Sequence, residues 1–544
     1  MKPIAKRLSA GIFGAAVAIA LVTMAARAVG FLRTVVLGQT LGADCLGSAY
    51  TTANAVPNVV FEVVAGGALA GAVVPLLAGA VARADRQTVT ATVSALTGWV
   101  LLLLLPAAFA VAVFASPIID LLTGGSGGCD AGQVRRVATS MLVIFAVQIP
   151  VYGLTVVAQG ALQAHHRFLS PALAPLVSSL VVVTAYGLYW VESGATRGSI
   201  SALSDTGLAL LAWGTTLGVV ALWLTQWPGM KAERLLVLKP RLRFPDGVAV
   251  RARKLAAAGA VTVAAQWIAF AVALRVANDR GLEGAALVYT LAWTVFLLPW
   301  AVLALPVATS AFPRFSSMFD SGESESFAVT AASTTRAVMV AGGLGVAGVI
   351  ATAEPVANLM LLDAPGPDQT GVLAHTLVAF APAVLGYALA GHISRMFYAR
   401  HQGGLAALLV GGGWLLGTAV AVSVASTVDA TNVVVALGVG ASVGMLVAGV
   451  FALIVMHSVV GHRSVHGLFR TSVGTLVAVA VSSAVGLGLA AAIPDSSRWL
   501  AGLSAVSVSV VVVATFAGAV ALVDRDAVAV LFTRIRESRG RGAA

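Results

Sequence analysis

The 544-residue sequence predicts an all-α polytopic membrane protein of fourteen transmembrane helices, two six-helix lobes followed by two C-terminal helices. Three observations carry this reading. Hydrophobic residues make up 59% of the chain and charged residues 10%, against roughly 25% charged in a soluble domain. Apolar stretches of the length that crosses a bilayer, about 20 residues, follow one another almost throughout. The cations behind the net charge of +11 form no nucleic-acid-binding patch; they fall in short connections on alternate sides of the apolar stretches.

Taken in order, the first six spans run over 10–38, 46–80, 91–116, 136–163, 171–191 and 205–226. The next eight run over 252–276, 284–313, 328–352, 371–398, 403–425, 432–457, 471–493 and 499–523. Lys2, Lys6 and Arg7 precede the first span, Arg83 and Arg86 follow the second, and Arg167 follows the fourth. The connection after the sixth holds Lys231, Arg234, Lys239, Arg241, Arg243, Arg251, Arg253 and Lys254. Opposite connections carry few cations and acids such as Asp44, Asp130, Asp363 and Asp429. This asymmetry predicts cytoplasmic N- and C-termini in a bacterial cytoplasmic membrane. The start of the chain also has the outline of a cleavable signal peptide, ending at Ala26-Arg27-Ala28. Removing it would invert the parity that every later connection supports, so the first span is read as retained.

The basic linker 227–251 separates a lobe over 1–226 from a lobe over 252–457; the last two spans lie in 458–523 and a basic tail in 524–544. The lobes echo each other. Tyr50-Thr51 leads through Pro57 to Val74-Pro75-Leu76, as Tyr289-Thr290 leads through Pro299 to Phe312-Pro313-Arg314. Pro150 and Tyr152 in the fourth span correspond to Pro382 and Tyr387 in the tenth. An even number of spans separates the copies, so the repeat is parallel, with a substrate site expected where the halves meet.

Polar groups inside the spans are the candidates for that site. Arg27 lies about 25 Å into the first helix; Arg33 follows about 9 Å further along and about 120° round. Arg27 and Arg33 suit a wide cavity better than one narrow stripe. An alternative has Arg27 paired with Glu62 and Arg33 reaching the interface. Asn54, Asn58 and Glu62, at i, i+4 and i+8, share one side of the second helix, and an ionisable group at that depth faces protein or water. Arg275 is read as snorkelling to the interface. Gln148, Gln159, Gln163, Gln266 and His392 are read as interhelical glue, and Gly411-Gly412-Gly413 as a close packing surface. Cys45 and Cys129 fall in outer connections and are read as two free thiols, with a disulfide as the alternative. No nucleophile, base and orienting residue converge at a recognisable spacing. The chain is therefore read as a transporter of an anion, without cofactor or metal.

The stretch "RAVGFLR" followed by "LGADCLGSAYTTANAVPNVVFEVVAGGALAGAVVPLL" resembles the MurJ/MviN family of lipid II flippases, in the MOP (multidrug/oligosaccharidyl-lipid/polysaccharide) exporter superfamily. Arg27, Gly30, Phe31 and Arg33 match the family's Arg-x-x-Gly-Phe-x-Arg element, Pro57 and Asn58 its Pro-Asn turn, and "FLLPWAVLALPVATSAFPRFS" its eighth helix. The Glu62-Gly66-Gly67 variant resembles the actinobacterial branch. The resemblance implies a MATE-like, V-shaped molecule with an alternating central cavity. It also implies that Arg27 and Arg33 grip a pyrophosphate, and that the last two helices form a groove for a polyprenyl tail. Phe61 and Thr294 stand where the family has further cavity arginines, and Ser48 replaces an acidic residue, so the cavity is less positive than the family pattern. The expected substrate is lipid II or a related polyprenyl-diphosphate lipid, contacted by Arg27, Arg33, Asn54, Asn58, Glu62 and Thr294. Expected partners are the membrane and proteins of cell-wall synthesis and division, with no nucleic acid, and the chain is expected to be a monomer. The competing reading is a cation-coupled small-molecule exporter, or exporter of another polyprenyl glycan, of the same superfamily; a membrane scaffold would need no buried charges.

Overall fold

The computed structural model describes residues 2–63, 70–236, 239–245, 248–493 and 497–523. The predicted tail and the Gly66-Gly67 pair lie outside the described residues. Every regular element among the described residues is helical, as a chain with no water to satisfy its backbone requires. Two compact units form, Met1–Trp267 and Ile268–Ala544.

In the first unit the helices are α1 (Lys2–Leu41), α2 (Cys45–Phe61), α3 (Ala70–Ala82), α4 (Arg86–Val113), α5 (Ala115–Thr123), α6 (Ala131–Phe145), α7 (Gln148–Ala164), α8 (Leu169–Ser193), α9 (Asp205–Leu224) and α10 (Trp227–Ala232). Short polar residues start them by accepting free backbone N–H groups: Asp85 accepts from Thr88 N at 3.0 Å, Asp130 from Gln133 N at 2.7 Å, and Ser204 from Gly207 N at 2.8 Å. One core joins the end of α1 and α2 to α5, α6, α8 and α9 through Leu46, Tyr50, Ile119, Phe145, Tyr186 and Leu211. A second joins α3, α4 and α7 through Val73, Leu77, Val93, Val157 and Leu162.

Helix α11 (Val248–Arg280) leads into the second unit, followed by α12 (Ala285–Pro299), a π turn (Trp300–Ala304), α13 (Leu305–Asp320), α14 (Ser324–Leu361), α15 (Thr370–Ala399), α16 (Gly403–Ala425), α17 (Val433–Val460), α18 (Leu468–Ala492) and α19 (Arg498–Val523). The π turn directly follows Pro299, the proline that echoes Pro57; in the first unit a π turn begins at Glu62, where α2 ends. Helix α14 is the buried axis of the second unit, and α18 and α19 pack on it through Ala347, Ala351, Ala478, Val508 and Phe516. Glycine lets α16 and α17 touch: a Cβ on Gly413 would lie 2.6 Å from the Ala448 Cβ, and one on Gly444 2.5 Å from the Gly417 Cα. For Gly413 the packing role expected from sequence is what the structure shows.

Twelve helices among the described residues are long and apolar enough to cross a membrane. They coincide with the first, third to sixth and eighth to fourteenth predicted spans, so the count of fourteen is approximate. The predicted second span contains residues 64–69, which lie outside the description, and the seventh falls on α11.

One expectation is corrected. Cys45 and Cys129 are not free thiols; they form a disulfide with Cα atoms 5.7 Å apart. The sequence carries no distance between two loops 84 residues apart. Packing of α2 against α6 supplies it.

Candidate functional site

The polar residues of the first unit gather where α1, α2, α7, α8 and α9 approach one another. Tyr50 of α2 lies with its hydroxyl 2.8 Å from that of Tyr186 on α8 and 2.7 Å from Thr215 Oγ1 on α9. Thr215 donates its own proton to Leu211 O at 2.7 Å. Tyr50 must therefore donate to Thr215 and accept from Tyr186. Both tyrosines are buried, at 1% and 3% exposure. About two turns further along α2, Asn58 Oδ1 accepts from the Tyr152 hydroxyl of α7 at 3.1 Å. The Phe61 ring lies on the Tyr152 ring, centroids 4.3 Å apart and 31° between planes.

Arg33 on α1 is half-buried, and its charge acts on the hydroxyls of Tyr50, Tyr152 and Tyr186. The Glu62 carboxylate acts on Tyr152 as well. Three of the six sequence-predicted residues, Asn54, Asn58 and Glu62, are half-buried along α2, and Arg33 is half-buried on α1. Arg27 lies exposed on α1, and no ion pair joins it to Glu62 among the described residues. Thr294 belongs to the second unit, half-buried on α12, where its hydroxyl donates to Thr290 O of its own helix at 2.9 Å.

Sequence reasoning missed Tyr50, Tyr152, Tyr186 and Thr215 as members of this cluster. The available signal was their position: hydroxyl groups deep in apolar spans need partners. It treated Tyr50 and Tyr152 only as markers of the repeat. At Phe61, where the resemblance expects a cation, an aromatic ring instead supports the phenol that holds Asn58. Two other readings match what is seen. Gln148, wholly buried, donates to Thr216 Oγ1 at 3.1 Å and ties α7 to α9; His392 Nε2 lies 3.1 Å from Thr334 Oγ1 and ties α15 to α14. Arg275 had a partner the sequence reading did not name, Asp279 one turn on, at 2.9 Å.

Chemically the cluster offers an anion one guanidinium and the Asn58 amide N–H groups; its hydroxyl protons are already donated to one another, to Leu211 O and to Asn58 Oδ1, and a single carboxylate stands at its edge. It holds no nucleophile poised against a base.

Comparison with known proteins follows this geometry. The chain resembles a 'Probable lipid II flippase MurJ' of Synechocystis, 30% identical over 227 residues, 42% of this chain and 41% of the relative. It also resembles a 'Lipid II flippase MurJ' of Burkholderia cenocepacia, 27% identical over 250 residues, 44% of this chain and 45% of the relative. The matched stretches span less than half the length of these curated relatives. In three dimensions it resembles a lipid II flippase MurJ in an inward closed conformation, with TM-score 0.68 at 17% identity over 92% of this chain and 98% of the other. An inward-facing MATE transporter of the MOP superfamily follows, with TM-score 0.64 at 16% identity over 79% and 95%. The fold is therefore MOP-like. The family model for lipid II flippase MurJ matches residues 37–504, a stretch that contains α2 to α18 and starts just after Arg33. With twelve helices among the described residues able to cross a bilayer, this is a multi-pass membrane protein, and the chain belongs to the lipid II flippase MurJ family.

Proposed function

We propose that the chain is a transporter that moves lipid II, or a related polyprenyl-diphosphate glycan, from the inner to the outer leaflet of the bacterial cytoplasmic membrane by alternating access, supplying cell-wall synthesis. The observation that carries this reading is the family match over residues 37–504. Arg33, a cation half-buried on α1 whose charge is felt by the buried phenols of Tyr50, Tyr152 and Tyr186, supports it. A guanidinium offers phosphate two parallel N–H donors, and the amide of Asn58, whose Oδ1 is held by Tyr152, adds neutral N–H donors. Arg27, exposed six residues earlier on α1, supplies a second cation. Asn54, Asn58 and Glu62 present polar groups from α2, and Thr294 is retained as a contact from the second unit.

In this reading both termini and the linker 227–251 face the cytoplasm, 1–226 and 252–457 are the two lobes, and the chain acts as a monomer. The Cys45–Cys129 disulfide supports the orientation, since such bonds persist on the oxidising side of a membrane. The large apolar side chains exposed on α18 and α19, such as Phe469, Leu476, Trp499 and Leu503, support a lipid-facing role for 458–523, including a groove for the polyprenyl tail. The cation-coupled exporter reading, with Glu62 as coupling carboxylate, draws on nothing beyond the fold shared with MATE transporters.

The test is depletion in the native host combined with reconstitution. Depletion should cause lysis with lipid II accumulating on the inner leaflet, and purified protein in vesicles should make labelled lipid II accessible from the far side. Vesicles that exchange cations for small molecules while lipid II stays put would overturn the reading.

A further inference from the structure

A cavity of about 190 Å³ lies at the linker end of the first unit, among α4, α7, α9 and α10; Leu101, Ala158, Trp223, Gln226, Met230 and Pro240 are among the residues lining it. It is larger than an engineered apolar cavity of about 150 Å³ that admits benzene, so a chain or ring of six or more heavy atoms fits. It shares no residue with the Arg33 cluster. Gln226 is wholly buried, yet neither its Oε1 nor its Nε2 has a partner. A buried amide left unpaired is costly.

The linker roofs this cavity. Ser94 Oγ donates to Lys239 O at 2.9 Å, Trp99 Nε1 donates to Leu242 O at 2.9 Å, and Arg241 N donates to Ser94 O at 3.3 Å. Pro240, between two of these anchors, contributes to the lining. The chain neighbours of the lining residues Met230 and Pro240 are Lys231, Lys239 and Arg241, all exposed. Trp99 and Trp227 are also partly exposed here, at 39% and 41%, as interfacial aromatics are. An apolar cavity beneath exposed cations has the complementarity of an anionic lipid, whose headgroup such basic segments attract.

We infer that this cavity holds the head-proximal segment of an acyl chain of an anionic phospholipid, with the phosphate headgroup on Lys231, Lys239 and Arg241. Bound there, the lipid fastens the linker to α4. The inference rests on the chain being a membrane protein and is independent of what it transports.

The experiment uses the full chain in phosphatidylcholine nanodiscs doped with phosphatidylglycerol carrying a diazirine within the first few carbons of one acyl chain. After irradiation, cross-linked peptides should fall on α4 near Leu101 and on α9–α10 near Trp223 and Met230. Ala158→Leu, which fills the cavity, should cut this labelling by about tenfold, and Leu101→Phe serves if that variant does not fold. Lys239→Gln with Arg241→Gln should erase the preference over a phosphatidylcholine probe of the same chain. Equal labelling by the two probes in the unaltered protein, labelling untouched by the filling variants, or displacement of the probe by unlabelled lipid II would each overturn the inference. Lipid II transport is measured separately on the same proteins, so failure of the transport reading leaves the labelling result standing.

Discussion

The hydrogen-bond chain Tyr186 → Tyr50 → Thr215 → Leu211 O makes an ordered prediction about stability. Replacing Tyr50 by Phe takes the acceptor from a buried Tyr186 hydroxyl and the donor from Thr215. Leaving a buried donor unpaired costs about 1–3 kcal/mol. Replacing Tyr186 by Phe removes only one donor; Tyr50 keeps its bond to Thr215, and the loss is a single ordinary hydrogen bond, about 0.5–1.5 kcal/mol. In the double variant no phenol is left stranded, so its cost should fall below the sum of the singles by about 1 kcal/mol, the coupling expected of residues in one network. Reversible unfolding of the purified protein in mixed micelles, followed by circular dichroism for the four members of the cycle, measures all three quantities. Additive singles, or Tyr186→Phe costing more than Tyr50→Phe, would refute the assigned donor direction.

Substitution of the α1 arginines tests the proposed phosphate grip. Arg33→Ala should abolish complementation at normal protein level, Arg33→Lys should keep partial activity because charge survives without the planar fork, and Arg27→Gln with Glu62→Gln should be inactive; a fully functional double variant would reduce Arg27 to a counter-ion. A membrane-impermeant thiol reagent should label Cys45 and Cys129 in intact cells only after reduction, and Cys45→Ser should lower unfolding stability by about 2–4 kcal/mol; labelling without reductant would contradict the disulfide. A Cβ at Gly98 would lie 2.8 Å from the Arg241 carbonyl carbon, so Gly98→Val should free the linker and speed trypsin cleavage after Arg241 and Arg243, whereas unchanged cleavage would mean the clamp is not needed there. Dissipating the membrane potential at constant ATP should slow outward flipping, since about 2.3 kcal/mol per charge per 100 mV assists an anion leaving an inside-negative cell; an unchanged rate would point to compensated charge movement.

What the sequence by itself determined is the class of fold, the order and placement of the apolar helices, and which polar residues sit inside them. Those follow from a local requirement: each crossing must bury its own backbone polar groups and present about 20 apolar side chains to lipid. Arg33, Asn58 and Glu62 stood out for the same reason, as polar groups that hydrocarbon does not tolerate without partners. Who those partners are was decided by the tertiary structure. Asn58 meets Tyr152 across 94 residues of sequence, Tyr50 meets Tyr186 across 136 and Thr215 across 165. No periodicity encodes such distances, because they depend on which faces of α2, α7, α8 and α9 turn inward together. The Arg27–Glu62 pairing was plausible from charge alone and is not formed among the described residues, where Arg27 lies exposed on α1 and Glu62 half-buried at the end of α2. The two cysteines were visible from the start, but only the docking of α2 on α6 brings their Cα atoms to 5.7 Å.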